Sequence, residues 1–232
     1  MTTTDNKSDP ESIQSHLVRF PTFSLTDEEI AIREHESKTH EIAKEAQKTQ
    51  SLMIASGLPE KQTQAITPFG SEWIRLEDRL KGKIGSGFII ALSGCRGTGK
   101  TRLAASCIRE SARHHRSSSY KTTMEFFLDI KASFKDPKKS EKDVIAEYAK
   151  PKLLVLDEVQ ERGETPWEDR LLTHLIDRRY AEEKDTLLIT NQTKEAFLLS
   201  MGESVRSRIE EMGGIAVCNW PSYRAKSTVK NN

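Results

Sequence analysis

The chain is short of cysteine, of net charge and of long apolar runs, and each shortage removes a class of protein. Three cysteines in 232 residues (Cys95, Cys107 and Cys218) form no Cys-x-x-Cys pair. They offer neither a disulfide framework nor a zinc cluster, and each reads as a small buried side chain in a reducing compartment. Lys and Arg number 36 against 35 Asp and Glu, so a net charge of +1 excludes a strongly basic nucleic-acid coat protein while leaving room for local basic patches. No apolar run approaches the roughly 18 residues of a membrane span. The opening Met1-Thr2-Thr3-Thr4-Asp5 lacks the basic and apolar regions of a secretory signal. The expectation is a soluble cytoplasmic protein without a membrane partner. Aromatic residues make up only 6%, and hydrophobic residues 35%, enough for one core unevenly spread along the chain.

What is present is organised. Residues 1–25 are rich in Ser, Thr, Asp and Lys without periodicity and are expected to be disordered. Thr26-Asp27-Glu28-Glu29 fits a capping box, and a polar helical pattern then runs to Ser56, with Glu34 and Lys38 paired at i,i+4. Its apolar positions, Ile30, Ile42, Ala46 and Met53, are too sparse for a core, so residues 26–56 are either a solvated arm or a surface awaiting a partner. Gly57 and Pro59 end it, and residues 57–70 read as a linker. Ser71 can cap a short helix bearing Trp73, Leu76 and Leu80. From there strands and helices alternate, the signature of a parallel α/β sheet. Strands are expected at Phe88–Leu92, Thr122–Phe127, Leu153–Leu156, Leu187–Thr190 and Ile215–Cys218. Helices are expected over Thr101–His115, Trp167–Glu183 and around Ser204–Ile209.

Gly94-Cys95-Arg96-Gly97-Thr98-Gly99-Lys100-Thr101 matches the phosphate loop G-x-x-x-x-G-K-[ST] at every fixed position, after a strand and before a helix. Its glycines let backbone amides turn around a phosphate chain at the positive end of a helix dipole. Lys100 can reach the β and γ phosphates, and the Thr101 hydroxyl can ligate Mg²⁺. Asp157 and Glu158 close the most apolar strand, at the sheet's carboxyl edge. Asp157 suits the Mg²⁺ shell and Glu158 suits activating a water, so ATP and Mg²⁺ are the expected cofactors of a hydrolase. Asn191, after another core strand, would position that water or sense the γ phosphate, or else simply form a turn. Arg208, in a helical stretch, reads from spacing alone as a surface cation.

Taken together these motifs resemble the AAA+ ATPases of the DnaC/DnaI helicase-loader type, over about residues 57–228. The resemblance rests on the phosphate loop followed by Arg102-Leu103-Ala104-Ala105, on Leu153–Glu158, on Ile176-Asp177-Arg178-Arg179-Tyr180, on Thr190-Asn191, and on the ending Asn219-Trp220-Pro221-Ser222-Tyr223-Arg224. It implies an AAA+ (ASCE) P-loop domain over residues 71–228, with a five-stranded parallel sheet, no separate helical lid and a short tail at 229–232. Lys100 and Thr101 become the Walker A pair, Asp157 and Glu158 the Walker B pair, and Asn191 sensor one. By the same resemblance Arg208 becomes an arginine finger acting in trans, Arg224 the sensor-two cation, and Arg102 part of the nucleotide-binding segment. An open ring or spiral formed with ATP follows, since a finger in trans requires a neighbour.

The resemblance further implies single-stranded DNA on the inner face, near Thr165 and Trp167 and near Phe134 and Lys135, where an aromatic beside cations can stack bases and meet phosphates. Trp167 has an equally good reading as a packing residue. The arm at residues 26–56 becomes the grip on a DnaB-like hexameric replicative helicase, with Ile30, Ile42, Ala46 and Met53 as the contact stripe. Such a loader belongs in a bacterial or phage-infected cell. The rivals are an IstB-type transposition helper, which shares the core but remodels duplex DNA, and a nucleotide-gated adaptor with negligible turnover. A small-molecule kinase shares the phosphate loop but gives no reason for the Asn-Trp…Ser-Tyr-Arg ending.

Overall fold

The computed structural model describes residues 25–63, 70–163 and 165–223, and the chain divides into two compact units, Met1–Ile42 and Ala43–Asn232. The expectations for the disordered amino terminus, the tail and Arg224 fall almost wholly outside the described residues.

In the first unit the described residues belong to the helix α1 (Asp27–Ala55) and its cap. The capping box forms: Glu29 N donates to Thr26 Oγ1 at 3.3 Å, and Thr26 N donates to the Glu29 carboxylate at 2.9 Å. The Thr26 amide and the Thr26 hydroxyl, which donates to the same carboxylate at 3.1 Å, hold the Glu29 carboxyl below its ordinary range. Asp27, Glu28 and Glu29 in the first turn also complement the helix dipole. Ile30, Ile32 and Ile42 are exposed.

The second unit takes up α1 from Ala43, then α2 (Glu60–Thr63), α3 (Ser71–Lys81), β1 (Ile89–Ser93), α4 (Lys100–Arg113), β2 (Ser118–Thr122) and α5 (Thr123–Ser133). It continues through α6 (Glu141–Ala149), β3 (Leu153–Asp157), a 3-10 turn at Val159–Glu161, α7 (Pro166–Ala181), β4 (Asp185–Ile189), α8 (Lys194–Ser200), α9 (Glu203–Met212) and β5 (Gly214–Val217). The five strands are parallel in the order β2-β3-β4-β1-β5.

Alternation along the central strands builds two cores, one on each face. Leu154, Leu156, Ala91 and Leu188 face Phe126, Ile130, Val144, Leu175 and Ile209 from α5, α6, α7 and α9. Leu153, Val155, Leu92 and Leu187 face Trp73, Leu80, Leu103 and Ile108 from α3 and α4. β1, β3 and β4 are therefore buried along their whole length and mostly apolar on both sides, as expected of central parallel strands. Each buried aliphatic side chain contributes about 1.5–3 kcal/mol relative to exposure.

Four expectations need correction. The strand expected at Thr122–Phe127 lies four residues earlier, at Ser118–Thr122, and Thr123 starts a helix. Glu125, which interrupts the apolar pattern, is the capping-box partner of Thr122: its carboxylate accepts from Thr122 N at 2.7 Å. A helix without a sequence expectation, α6, starts with the same device, Ser140 with Asp143. Ser71 does not cap α3; Gly70 is the cap, with no side-chain bond. Met53 is no part of an exposed stripe, because it is completely buried in the core beside α3 and α4. Leu58 is buried there as well, and Ser56 O accepts from Tyr120 N at 2.7 Å, so the segment after α1 is built into this unit.

The Asp-Arg-Arg triplet on α7 acquires a structural meaning. Arg179 is fully buried, and its guanidinium donates to the carbonyls of Tyr148, Ala149, Pro151 and Asp185 and to Thr186 Oγ1. It staples α7 to the end of α6 and to the start of β4. Burial pulls its pKa down to about 10, still charged at neutral pH.

Candidate functional site

The topology brings the motifs to one edge. β4 lies between β3 and β1, so Asn191, just past β4, sits between the Asp157 strand and the strand that enters the phosphate loop. That is the placement a sensor of a bound phosphate requires.

The phosphate loop is held both from within and from outside. Lys100 Nζ donates to Gly94 O at 2.6 Å and to Cys95 O at 2.8 Å, and Thr98 Oγ1 donates to Cys95 O at 3.0 Å. Tyr223 N donates to Gly97 O at 2.9 Å, Trp220 Nε1 to Thr98 O at 2.8 Å, and Trp73 Nε1 to Gly99 O at 3.4 Å. These bonds fix the loop at the amino-terminal end of α4, where the helix dipole favours an anion. Gly94 has no substitute: at φ 141° a Cβ would lie 2.4 Å from the Cys218 carbonyl oxygen. Gly99, at φ 86°, turns the loop into α4 in the left-handed region.

Sequence reasoning assigned Trp73 to helical packing and Trp220 to a family ending; both also brace the loop. The indole of Trp73 is buried in the core, so its apolar spacing hid the polar task of its N–H. The Tyr223 hydroxyl adds a further tie, accepting from Gly70 N at 3.1 Å.

On the acidic side, Thr101 Oγ1 donates to Asp157 Oδ2 at 3.0 Å, which joins the two expected metal ligands across the α4–β3 gap. Tyr120 OH, from β2, donates to the same oxygen at 2.6 Å, and Glu158 N donates to Oδ1 at 2.7 Å. Burial, with Asp157 alongside, pushes the Tyr120 phenol well up, so it stays a donor. Among the described residues no group of three or more His, Cys, Asp or Glu side chains gathers. A hydroxyl and a carboxylate, both hard oxygen donors, fit Mg²⁺ when phosphate oxygens and waters complete the shell. Glu158 is exposed and adopts a left-handed backbone (φ 57°, ψ 45°), a conformation that costs a non-glycine residue about 1–3 kcal/mol and clusters at functional sites.

The turn after these carboxylates is tied to everything around it. Gln160 Oε1 accepts from Asn191 N at 3.0 Å, and Glu161 pairs with Arg96 of the phosphate loop at 3.3 Å. Arg162, with no exposed side-chain surface, donates to Val159 O and to Ser200 O and pairs with Asp169 at 3.4 Å. Ser93 Oγ donates to Gln192 O at 2.8 Å, so the ends of β1 and β4 are tied too.

The remaining expected residues divide. Cys95 is exposed, contrary to the buried reading, whereas Cys107 and Cys218 are buried. Burial pushes their thiols up to about 12 and about 11, respectively. Thr165 is the cap of α7, accepting from Glu168 N at 3.3 Å. Trp167 is partly buried against the core, with its ring 6.0 Å from Phe127 and 6.3 Å from the exposed Phe134, and with Lys131 Nζ 5.7 Å above it. Phe134, Lys135 and Ala46 are exposed. Arg102 keeps a buried Nη1 without a hydrogen bond. Arg208 lies on α9, paired with Asp177 and stacked on Tyr180.

No helix among the described residues is long and apolar enough to cross a membrane. A family model described as "IstB-like ATP binding protein" matches residues 82–205, more than half of the chain. Over 139 residues the chain is 30% identical to the replicative helicase loader DnaC of Escherichia coli (strain K12), a match covering 60% of this chain and 57% of that protein. The chain thus spans little more than half the length of the curated relatives it matches. The crystal structure of the DnaC helicase loader superposes with a TM-score of 0.59 at 19% identity, over 68% of this chain and 99% of that one. AMPPCP-bound DnaA from Aquifex aeolicus superposes with a TM-score of 0.57 at 22% identity, over 69% of this chain and 50% of that one. At such identities the likeness speaks to the fold, which is the AAA+ ATPase fold. Together the family match and the phosphate loop that lies inside it, braced and facing Asp157, make this chain a member of the IstB-like ATP binding protein family.

Proposed function

We propose that this protein is an ATP-dependent loader that binds a hexameric replicative helicase and delivers it onto single-stranded DNA. The observation that carries the reading is the Thr101–Asp157 pair, 3.0 Å apart beside the phosphate loop, in a chain 30% identical to a replicative helicase loader over 139 residues.

In this reading the loop amides and Lys100 hold the phosphates, and Thr101 and Asp157 hold Mg²⁺. The metal, when bound, neutralises charge on the β and γ oxygens. Glu158 orients the attacking water and accepts its proton. Asn191 contacts the γ phosphate or that water, and Arg208 of a neighbouring copy supplies positive charge as the terminal phosphoryl group departs. Arg224 is assigned the sensor-two contact by resemblance. Hydrolysis then removes the ligand that orders the interface and releases the loader.

Self-association into a ring or spiral is part of the proposal, as is an inner face that takes single-stranded DNA. Phe134 and Lys135, exposed, and the edge of Trp167 are the proposed DNA contacts. Thr165, exposed at the cap of α7, is a proposed DNA contact as well. The α1 arm is the proposed helicase grip, through Ile30, Ile42 and Ala46.

The test is size-exclusion chromatography with light scattering of this chain mixed with its cognate hexameric helicase, with and without ATP and Mg²⁺. A stoichiometric complex that is lost on deleting residues 1–42 supports the loader and its arm. Absence of any complex, with ATP-dependent assembly on duplex DNA instead, sinks the loader reading in favour of a transposition helper.

A further inference from the structure

Arg208 is held in an unusual way. Its Nε lies 3.4 Å from Asp177 Oδ1, and its guanidinium carbon lies 4.2 Å from the centroid of the Tyr180 ring. Nε is buried yet makes no hydrogen bond, and no N–H of this side chain donates to any described residue. The guanidinium is thus restrained by charge and by a ring face, contacts that leave its donors unspent. A planar cation with free donors suits a phosphate, which it can meet through two parallel N–H···O bonds.

The restraint is itself anchored. Ser204 Oγ donates to the same Asp177 oxygen at 3.0 Å, and the Tyr180 hydroxyl donates to Glu211 at 2.8 Å. Asp177 and Tyr180 stand on α7, Ser204, Arg208 and Glu211 on α9, and the two helices share one core through Leu175, Val205 and Ile209. A long side chain free to sample its rotamers would lose that freedom on meeting a ligand; one already confined on rigid elements loses less.

We propose that Asp177 and Tyr180 are positioning residues that preorganise Arg208 to receive the terminal phosphate of a nucleoside triphosphate bound by a second copy of this chain. The proposal rests on the trans-acting reading of Arg208 above and adds the residues that aim it. Asp177 and Tyr180 touch no phosphate themselves.

Mixing two variants tests it. A Lys100→Ala chain keeps its arginine but has a crippled nucleotide site, and an Arg208→Ala chain keeps its site but has no arginine. Mixed with ATP, Mg²⁺, single-stranded DNA and the cognate helicase, they are expected to recover hydrolysis that neither chain has alone. Adding Asp177→Ala or Tyr180→Leu to the Lys100→Ala chain should cut that recovery about tenfold. Tyr180→Phe, which keeps the ring face, should restore it. Melting temperature serves as the control for folding, and affinity for a fluorescent nucleotide, measured with the same two substitutions in the wild-type chain, should be unchanged. Full recovery with folded Asp177→Ala and Tyr180→Leu chains overturns the positioning role and leaves Arg208 as a trans-acting cation. No recovery with the parent Lys100→Ala chain overturns the trans reading itself, and the positioning role with it.

Discussion

The side-chain oxygen of Gln160 accepts a hydrogen bond from the backbone amide of Asn191 at 3.0 Å, tying the turn after Asp157 to the exit of β4. The same turn pairs Glu161 with Arg96 and anchors Arg162 on the Ser200 carbonyl and Asp169. A hydrogen bond of this kind is worth about 0.5–1.5 kcal/mol, roughly a two- to tenfold effect on a rate. Gln160→Met should lower kcat for ATP hydrolysis by that factor and leave nucleotide affinity alone, because no phosphate contact is touched. Steady-state kinetics beside a binding titration decide; an affinity change without a kcat change would assign Gln160 to binding instead.

Binding and hydrolysis are expected to separate at the carboxylates. Glu158→Gln should retain nucleotide affinity and lose hydrolysis by about 10²-fold or more, the range for removing a general base. Lys100→Ala should lose affinity as well. Equal turnover in Glu158→Gln and wild type would transfer the water-activating role to another residue.

Trp220 and Trp73 both report on the phosphate loop. Trp220→Phe removes the donor to Thr98 O and leaves that carbonyl a poorer anchor, so nucleotide affinity should fall by about two- to tenfold. Binding of ADP should alter tryptophan emission in the wild type and alter it less in the variant. Identical titrations for the two proteins would mean that the brace has no influence on the loop.

Thiol chemistry has a distinct pattern. Cys95 alone should react quickly with a thiol reagent in the folded protein, and Cys107 and Cys218 only on unfolding. Both buried thiols have folded pKa values above the ordinary 9.0, at about 12 and about 11. Between pH 9 and pH 11 the unfolded chain releases these protons while the folded chain keeps them. Their contribution to stability is therefore complete below pH 9 and declines as pH rises through that window. Denaturant midpoints for wild type and a Cys107→Ala, Cys218→Ala double variant should converge across this range if other groups are unaffected; a wild-type curve that rises relative to the variant's would contradict the sign.

Arg179→Met is expected to destabilise the domain by about 3–5 kcal/mol, the cost of breaking a buried, fully bonded charge, since four carbonyls and Thr186 lose their donor together. Chemical denaturation measures it. A loss below about 1 kcal/mol would mean that water replaces the guanidinium without penalty.

Much of this protein is decided locally. The phosphate loop needs contiguous glycines, a lysine and a hydroxyl. A buried parallel strand needs a run such as Leu153–Leu156, and the carboxylates follow it directly in the chain. Those features were legible because each is a short-range requirement on neighbouring residues, and Asn191 followed from the same logic once β4 was recognised. The tertiary structure alone decided which polar atoms meet across distance. The capping box Thr122–Glu125 is a local signal too, masked by the apolar run around it, whereas core packing takes Met53 inward from a sparse polar helix. Indole N–H groups brace a loop far away in sequence, and Asp177 and Tyr180 confine Arg208. Hydrophobic periodicity records which face of an element is buried. It carries no record of where one side chain's donor finds its acceptor, because that match depends on the packing of elements that only folding brings together.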